Sequence, residues 1–152
     1  MKLAIVIEGH QNSGKTSTIK ELINSYGNKS ISQMKRGWQK LFLNSIFKYL
    51  KLDIYCVPAS PSETNIELIK RFPNWVPEVL IVAVQPNGQH YSSSMSFLTN
   101  NNYQILKYSL TNNNGNLDWD RFDSSTKQNK LSNRADEIIF DIRSFINNNN
   151  LI

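Results

Sequence analysis

Eight residues near the start of the chain combine glycine, lysine and a hydroxyl at a spacing suited to holding phosphate. Gly9-His10-Gln11-Asn12-Ser13-Gly14-Lys15-Thr16 fits the pattern G-x-x-x-x-G-K-[ST], directly after the apolar run Leu3-Ala4-Ile5-Val6-Ile7. Gly9 and Gly14 permit torsions and a close approach that a Cβ would obstruct. Backbone N–H groups of such a loop, opening a helix, can wrap an anionic phosphate. Lys15 brings a mobile ammonium for the β- and γ-phosphates of a nucleotide, and Thr16 a hydroxyl for Mg²⁺. The amides of Asn12 to Thr16 are expected to hold phosphate oxygens, with Gly9, His10, Gln11 and Ser17 completing the contact set. By average residue usage the octapeptide arises by chance in well under ~1% of chains of this length.

Other residues of interest depend on where the chain places them. Lys35 and Arg36 follow an expected second strand, which would set them on the loop's edge of a sheet. There they would bind an acceptor or stabilise transferring phosphoryl charge, unless they are an ordinary basic turn. Gln85, at a strand tip, could orient a water or acceptor hydroxyl, or bond local backbone. His90 and Tyr91 follow the Asn87-Gly88 turn, and histidine can serve as acid or base near neutral pH. Ser60, Ser62 and Glu63 read most simply as a helix cap, with anion binding as the alternative. Arg121, Lys127, Lys130 and Arg134 lie in or beside a long polar segment, as a phosphate lid or as ordinary solvated charges. Glu8, just before Gly9, could help with magnesium through a water, whereas Asp53 begins its strand at the end away from the loop. His10, His90 and Cys56 lack zinc-ligand spacing, and no G-x-S-x-G elbow occurs.

The elements that must position these groups alternate along the chain. Strands are expected at residues 2–7, 30–34, 52–57, 78–84 and 103–109. Helices are expected at 17–26, 38–50, 60–72, 92–98 and 135–147, with a polar, turn-rich stretch over 111–133. The 60–72 helix would turn Ile66, Ile69 and Leu68 inward. Strand–helix alternation implies right-handed crossovers and a parallel sheet. The expected architecture is a single α/β domain over residues 1–152, a three-layer α/β/α sandwich with a mainly parallel five-stranded sheet.

Composition narrows the partners. A formal charge of +5 suits an anionic ligand. The basic residues are dispersed and Trp38, Trp75 and Trp119 form no stacking ladder, so nucleic acid is not indicated. No apolar run approaches the roughly 18 residues of a membrane span. With one cysteine and a strand starting at Lys2, no disulfide or leader is expected, and the setting expected is cytoplasmic.

This plan, with GHQNSGKT at the first strand–helix turn, resembles the P-loop NTPase superfamily, in which the octapeptide is the Walker A motif. Its compact size looks most like the nucleotide-kinase-like branch. The resemblance implies an interior loop strand and ligands at the carboxyl ends of the strands. It implies binding of a nucleoside triphosphate, ATP expected, with Mg²⁺. It also implies phosphoryl transfer to a small acceptor or slow hydrolysis, with Lys15, Gln85, Lys35 and Arg36 as the candidate catalytic groups. The chain departs from the pattern at its strand tips. Val57-Pro58-Ala59-Ser60 and Val84-Gln85-Pro86 lack the usual acidic magnesium partner. That departure leaves open a nucleotide-dependent switch or partner-binding subunit with little turnover. No Asn-Lys-x-Asp segment for reading guanine occurs.

Overall fold

The computed structural model describes residues 2–9, 14–26, 39–41, 54–57, 60–110, 112–113, 116–117 and 124–149. Its strands are β1 (Lys2–Gly9), β2 (Gln39–Leu41), β3 (Ile54–Val57), β4 (Val79–Val84), β5 (Tyr103–Leu110), β6 (Asn112–Asn113) and β7 (Asn116–Leu117). Its helices are α1 (Lys15–Tyr26), α2 (Pro61–Thr64), α3 (Leu68–Arg71), α4 (Tyr91–Asn100) and α5 (Ser124–Asn148). Four strands pair in parallel in the order β3-β4-β1-β5. The fold is thus α/β, a four-stranded parallel sheet with flanking helices.

Residue parity divides the core. A strand covered on both faces must be apolar throughout, and Leu3 to Ile7 and Val79 to Val84 are all buried. Leu3, Ile5, Ile7, Ile81 and Ala83 pack beneath Ile19 and Leu22 of α1 and Ile138, Ile142 and Phe145 of α5. Ala4, Val6, Leu80 and Val82 face the other way, onto Leu68, Phe72, Phe97 and Leu98. Helices α1 and α5 therefore cover one face, and α3 and α4 the other.

Three expectations change. Residues 38–50 are expected to be helical from their apolar period, yet Gln39–Leu41 pairs antiparallel with β3; residues 38 and 42–50 lie outside the described residues. Pairing there satisfies backbone groups along an edge the sheet would otherwise leave open. The expected strand at 30–34 lies outside the described residues. The single helix expected at 60–72 is divided into α2 and α3 by Asn65, at φ 56°, a conformation asparagine tolerates better than most residues. The division resets the helical phase: Leu68 is buried, but Ile66 and Ile69 are 39% and 59% exposed.

The closing helix begins at Ser124 rather than near 135, so much of the expected polar loop is helical. Its first turns carry Leu131 as their one apolar anchor and are held by polar contacts instead. Gln128 Nε2 and Ser132 Oγ donate to Glu21 Oε1 on α1 at 3.1 and 3.3 Å. No helix among the described residues is long and apolar enough to cross a membrane.

Candidate functional site

Topology provides a crevice before any side chain is considered. β1 and β4 are neighbours, but β1 leads to α1 on one face and β4 to α4 on the other. Diverging connections leave a gap beyond the carboxyl ends of the two strands, where open α/β sheets take their ligands. Glu8 is in register with Val84; one step further stand Gly9 and Gln85. The glycine that opens the motif and the candidate glutamine thus flank the same gap.

The far end of the motif is shaped for a turn into a helix. Gly14 has φ 96°, a conformation costly for any residue with a Cβ. Its carbonyl accepts the first helical hydrogen bond, from Thr18 N–H at 2.9 Å, and a second from Thr18 Oγ1 at 2.8 Å. Lys15 is the first residue of α1 and is only 2% exposed; Thr16 and Ser17 are half-buried. Gly14 to Thr16 lie at the amino end of α1, where the helix dipole favours negative charge. His10, Gln11, Asn12 and Ser13 lie outside the described residues, as do Lys35, Arg36, Asp53 and Arg121.

Across the gap, Gln85 begins a tight turn. Its carbonyl accepts from Gly88 N–H at 3.0 Å, with Pro86 second and Asn87, at φ 62°, third, the residue preferences of a type II turn. Gly88 lets this turn press against α2: a Cβ there would stand 2.2 Å from Ser62 Oγ and 2.9 Å from the Gln85 carbonyl. Ser60 is fully buried, and its carbonyl accepts from Thr64 N–H at 3.1 Å. Ser60 thus stands at the N-cap position, with Pro61 in the first turn.

His90 joins α4 to the break between α2 and α3. Its N–H donates to Ser62 Oγ at 3.2 Å, Nε2 lies 2.7 Å from Asn65 Oδ1, and Nδ1 lies 3.8 Å from Glu67 Oε1. Both ring nitrogens thus face structural partners, which favours a bracing role over acid–base chemistry. Arg71, buried beside this segment, donates to Thr64 Oγ1 at 3.2 Å, and its burial lowers its pKa.

Glu8 is engaged. Its carboxylate accepts from Tyr91 Oη at 2.9 Å and lies 3.8 Å from Lys107 Nζ, which itself donates to Tyr91 Oη at 3.2 Å. The group sits on the α4 face of the sheet, so the water-bridged magnesium role considered for Glu8 competes with two direct partners. Lys107 escaped sequence reasoning because its partners come from two other elements. The available signal was parity, since Lys107 is in register with Val6 and so shares a face with Glu8.

The metal and lid readings fare differently. Among the described residues no group of three or more His, Cys, Asp or Glu side chains could hold an ion. Thr16 remains the one motif hydroxyl at the start of α1, and phosphate oxygens and waters would have to complete an octahedral magnesium shell. Lys130 and Arg134 do not belong to a loop lid: both stand on α5, whose Leu131 and Ala135 are buried. Lys127 is also within α5, although its side chain, like that of Glu63 in α2, lies outside the described residues.

Comparison with known proteins finds no family model, no curated protein and no solved structure that matches this chain significantly.

Proposed function

We propose that this chain binds a nucleoside triphosphate, ATP by expectation, in the crevice between β1 and β4, as a P-loop protein of the nucleotide-kinase-like kind. One observation carries the reading. The fixed glycine and lysine of the phosphate-loop pattern fall between an interior parallel strand and a helix, with Gly14 at φ 96° and Lys15 opening α1. In this reading the amides of Asn12 to Thr16 hold phosphate oxygens and Lys15 bridges the β- and γ-phosphates. The Thr16 hydroxyl is the ligand for Mg²⁺, which when bound neutralises charge on those phosphates. The reaction proposed is transfer of the γ-phosphoryl group to a small acceptor, or slowly to water. Positioning and charge neutralisation would carry most of its rate. In this reading Gln85 orients the attacking hydroxyl, and Lys35 with Arg36 meet the acceptor. The single buried cysteine is consistent with a cytoplasmic setting.

A second reading is favoured by the strand tips. β4 runs from Val84 into Gln85, with no carboxylate at the place where a magnesium partner is usual. On that ground the chain would be a nucleotide-dependent switch or partner-binding subunit with little turnover of its own. Titration with ATP and Mg²⁺ tests the shared claim. Lys15→Ala is expected to weaken binding about 10- to 100-fold, the worth of a charge-assisted contact. Absence of wild-type binding would refute both readings. Turnover that depends on Lys15 then selects transfer, and binding without turnover selects the switch.

A further inference from the structure

Glu8 poses an electrostatic problem for any site that gathers phosphates. It is the last residue before the loop, and it stands at the carboxyl end of β1. A carboxylate close to a bound phosphate repels it, and the repulsion grows where water is partly excluded. The Glu8 side chain is only 19% exposed.

Three features act on that charge together. Tyr91, the first residue of α4, donates its hydroxyl to Glu8 Oε2 at 2.9 Å. Lys107 on β5 donates to the same hydroxyl at 3.2 Å and holds its ammonium 3.8 Å from the carboxylate. Its Nζ also lies 5.9 Å from the Tyr91 ring centroid, within reach of a cation–π contact. The amino end of α4 adds a partial positive charge on the same side. The hydrogen bond to Tyr91 raises the Lys107 pKa; burial opposes it, and Glu8 adds lesser support in the same upward direction.

Resting on the nucleotide reading above, we infer that Lys107 and Tyr91 form a charge-cancelling brace on Glu8 that opens the end of β1 to a multiply anionic ligand. Lys107 and Tyr91 are positioning residues: they act through Glu8 rather than on the ligand. The brace favours the more highly charged member of a nucleotide series, because an uncancelled Glu8 would repel a triphosphate more than a diphosphate. A contact that merely tied β5 to α4 would not discriminate in this way.

The test measures dissociation constants of ATP and ADP, at low and high salt, for the wild type, Lys107→Met, Glu8→Gln, the Glu8→Gln/Lys107→Met double variant and Lys15→Ala. Thermal melts verify that each is folded, and Lys107 is 45% exposed, so its truncation is tolerable. Lys107→Met is expected to weaken ATP about three- to tenfold, and ADP less, with the loss shrinking in high salt. Glu8→Gln is expected to bind ATP at least as tightly as the wild type. The double variant is expected to return to within about twofold of wild type, since removing the carboxylate removes the repulsion. Equal losses for ATP and ADP, failure of the double variant to recover, or weaker ATP binding by Glu8→Gln would each overturn the brace. So would wild-type affinity in Lys107→Met. If the wild type binds no nucleotide, or Lys15→Ala binds as well as wild type, the nucleotide reading falls and the inference with it. Normal Lys15-dependent binding with an unaffected Lys107→Met overturns the inference alone.

Discussion

Replacing Gly88 by alanine should loosen the edge of the crevice that carries Gln85. The new Cβ would lie 2.2 Å from Ser62 Oγ, 2.8 Å from Ser62 Cβ and 2.9 Å from the Gln85 carbonyl oxygen. The first contact falls about 1.2 Å short of an ordinary 3.4 Å separation. Ser62 can rotate its hydroxyl away, but that hydroxyl accepts from His90 N–H, so rotation costs about 1 kcal/mol. Its Cβ and the Gln85 carbonyl cannot rotate away, and relieving them means shifting backbone, an overpacking cost of about 1–3 kcal/mol. The sum is about 2–4 kcal/mol, which for a chain of this size lowers Tm by roughly 4–16 °C. Urea unfolding of Gly88→Ala, Ser62→Gly and their double variant measures this directly. The account expects the double variant to be less destabilised than the sum of the singles, because removing the Ser62 side chain removes two of the three clashes. A Gly88→Ala protein within about 0.5 kcal/mol of the wild type would refute the packing argument.

Further outcomes follow from Cys56 and from α5. Burial raises the Cys56 thiol pKa from 9.0 to about 12, so an aromatic disulfide reagent at pH 8 should label it only as fast as the protein unfolds; prompt labelling would contradict its placement. Because the folded thiol keeps its proton after the unfolded one has lost it, wild-type stability should fall relative to Cys56→Ala as pH rises from about 9 to 12, by up to about 1.4 kcal/mol per unit. On α5, Ile138→Ala should cost about 2–5 kcal/mol in urea unfolding, since Ile138 is fully buried. Phe140→Asn, two residues on but 68% exposed, should cost less than about 0.5 kcal/mol, and equal effects would show the helix face to be misassigned.

The parts of the fold legible in sequence are those where one signal dominates. Leu3 to Ile7 and Val79 to Val84 read as covered parallel strands because no polar residue interrupts them, and both lie inside the sheet. The motif's spacing implies a turn into a helix at its end, and Gly14 has a positive φ with α1 beginning at Lys15. The start of α5 was missed because residues 124–134 offer only Leu131 and Arg134 near an apolar stripe, and Glu21 on α1 supplies their anchor from 107 and 111 residues away. The break at Asn65 depends on one residue's torsion, which no apolar period records. The Glu8–Tyr91–Lys107 group was hidden for a similar reason: Tyr91 is 83 residues from Glu8, and only the strand register brings Lys107 onto the same face.

The most direct test of the central claim is a crystal structure with a non-hydrolysable ATP analogue and Mg²⁺. The account predicts triphosphate density beyond the carboxyl ends of β1 and β4, with the β-phosphate within hydrogen-bond distance of amides between Asn12 and Thr16 and of Lys15 Nζ. It places the metal on the Thr16 hydroxyl. An analogue bound elsewhere on the sheet, or bound at the crevice without contact to Lys15, would contradict it.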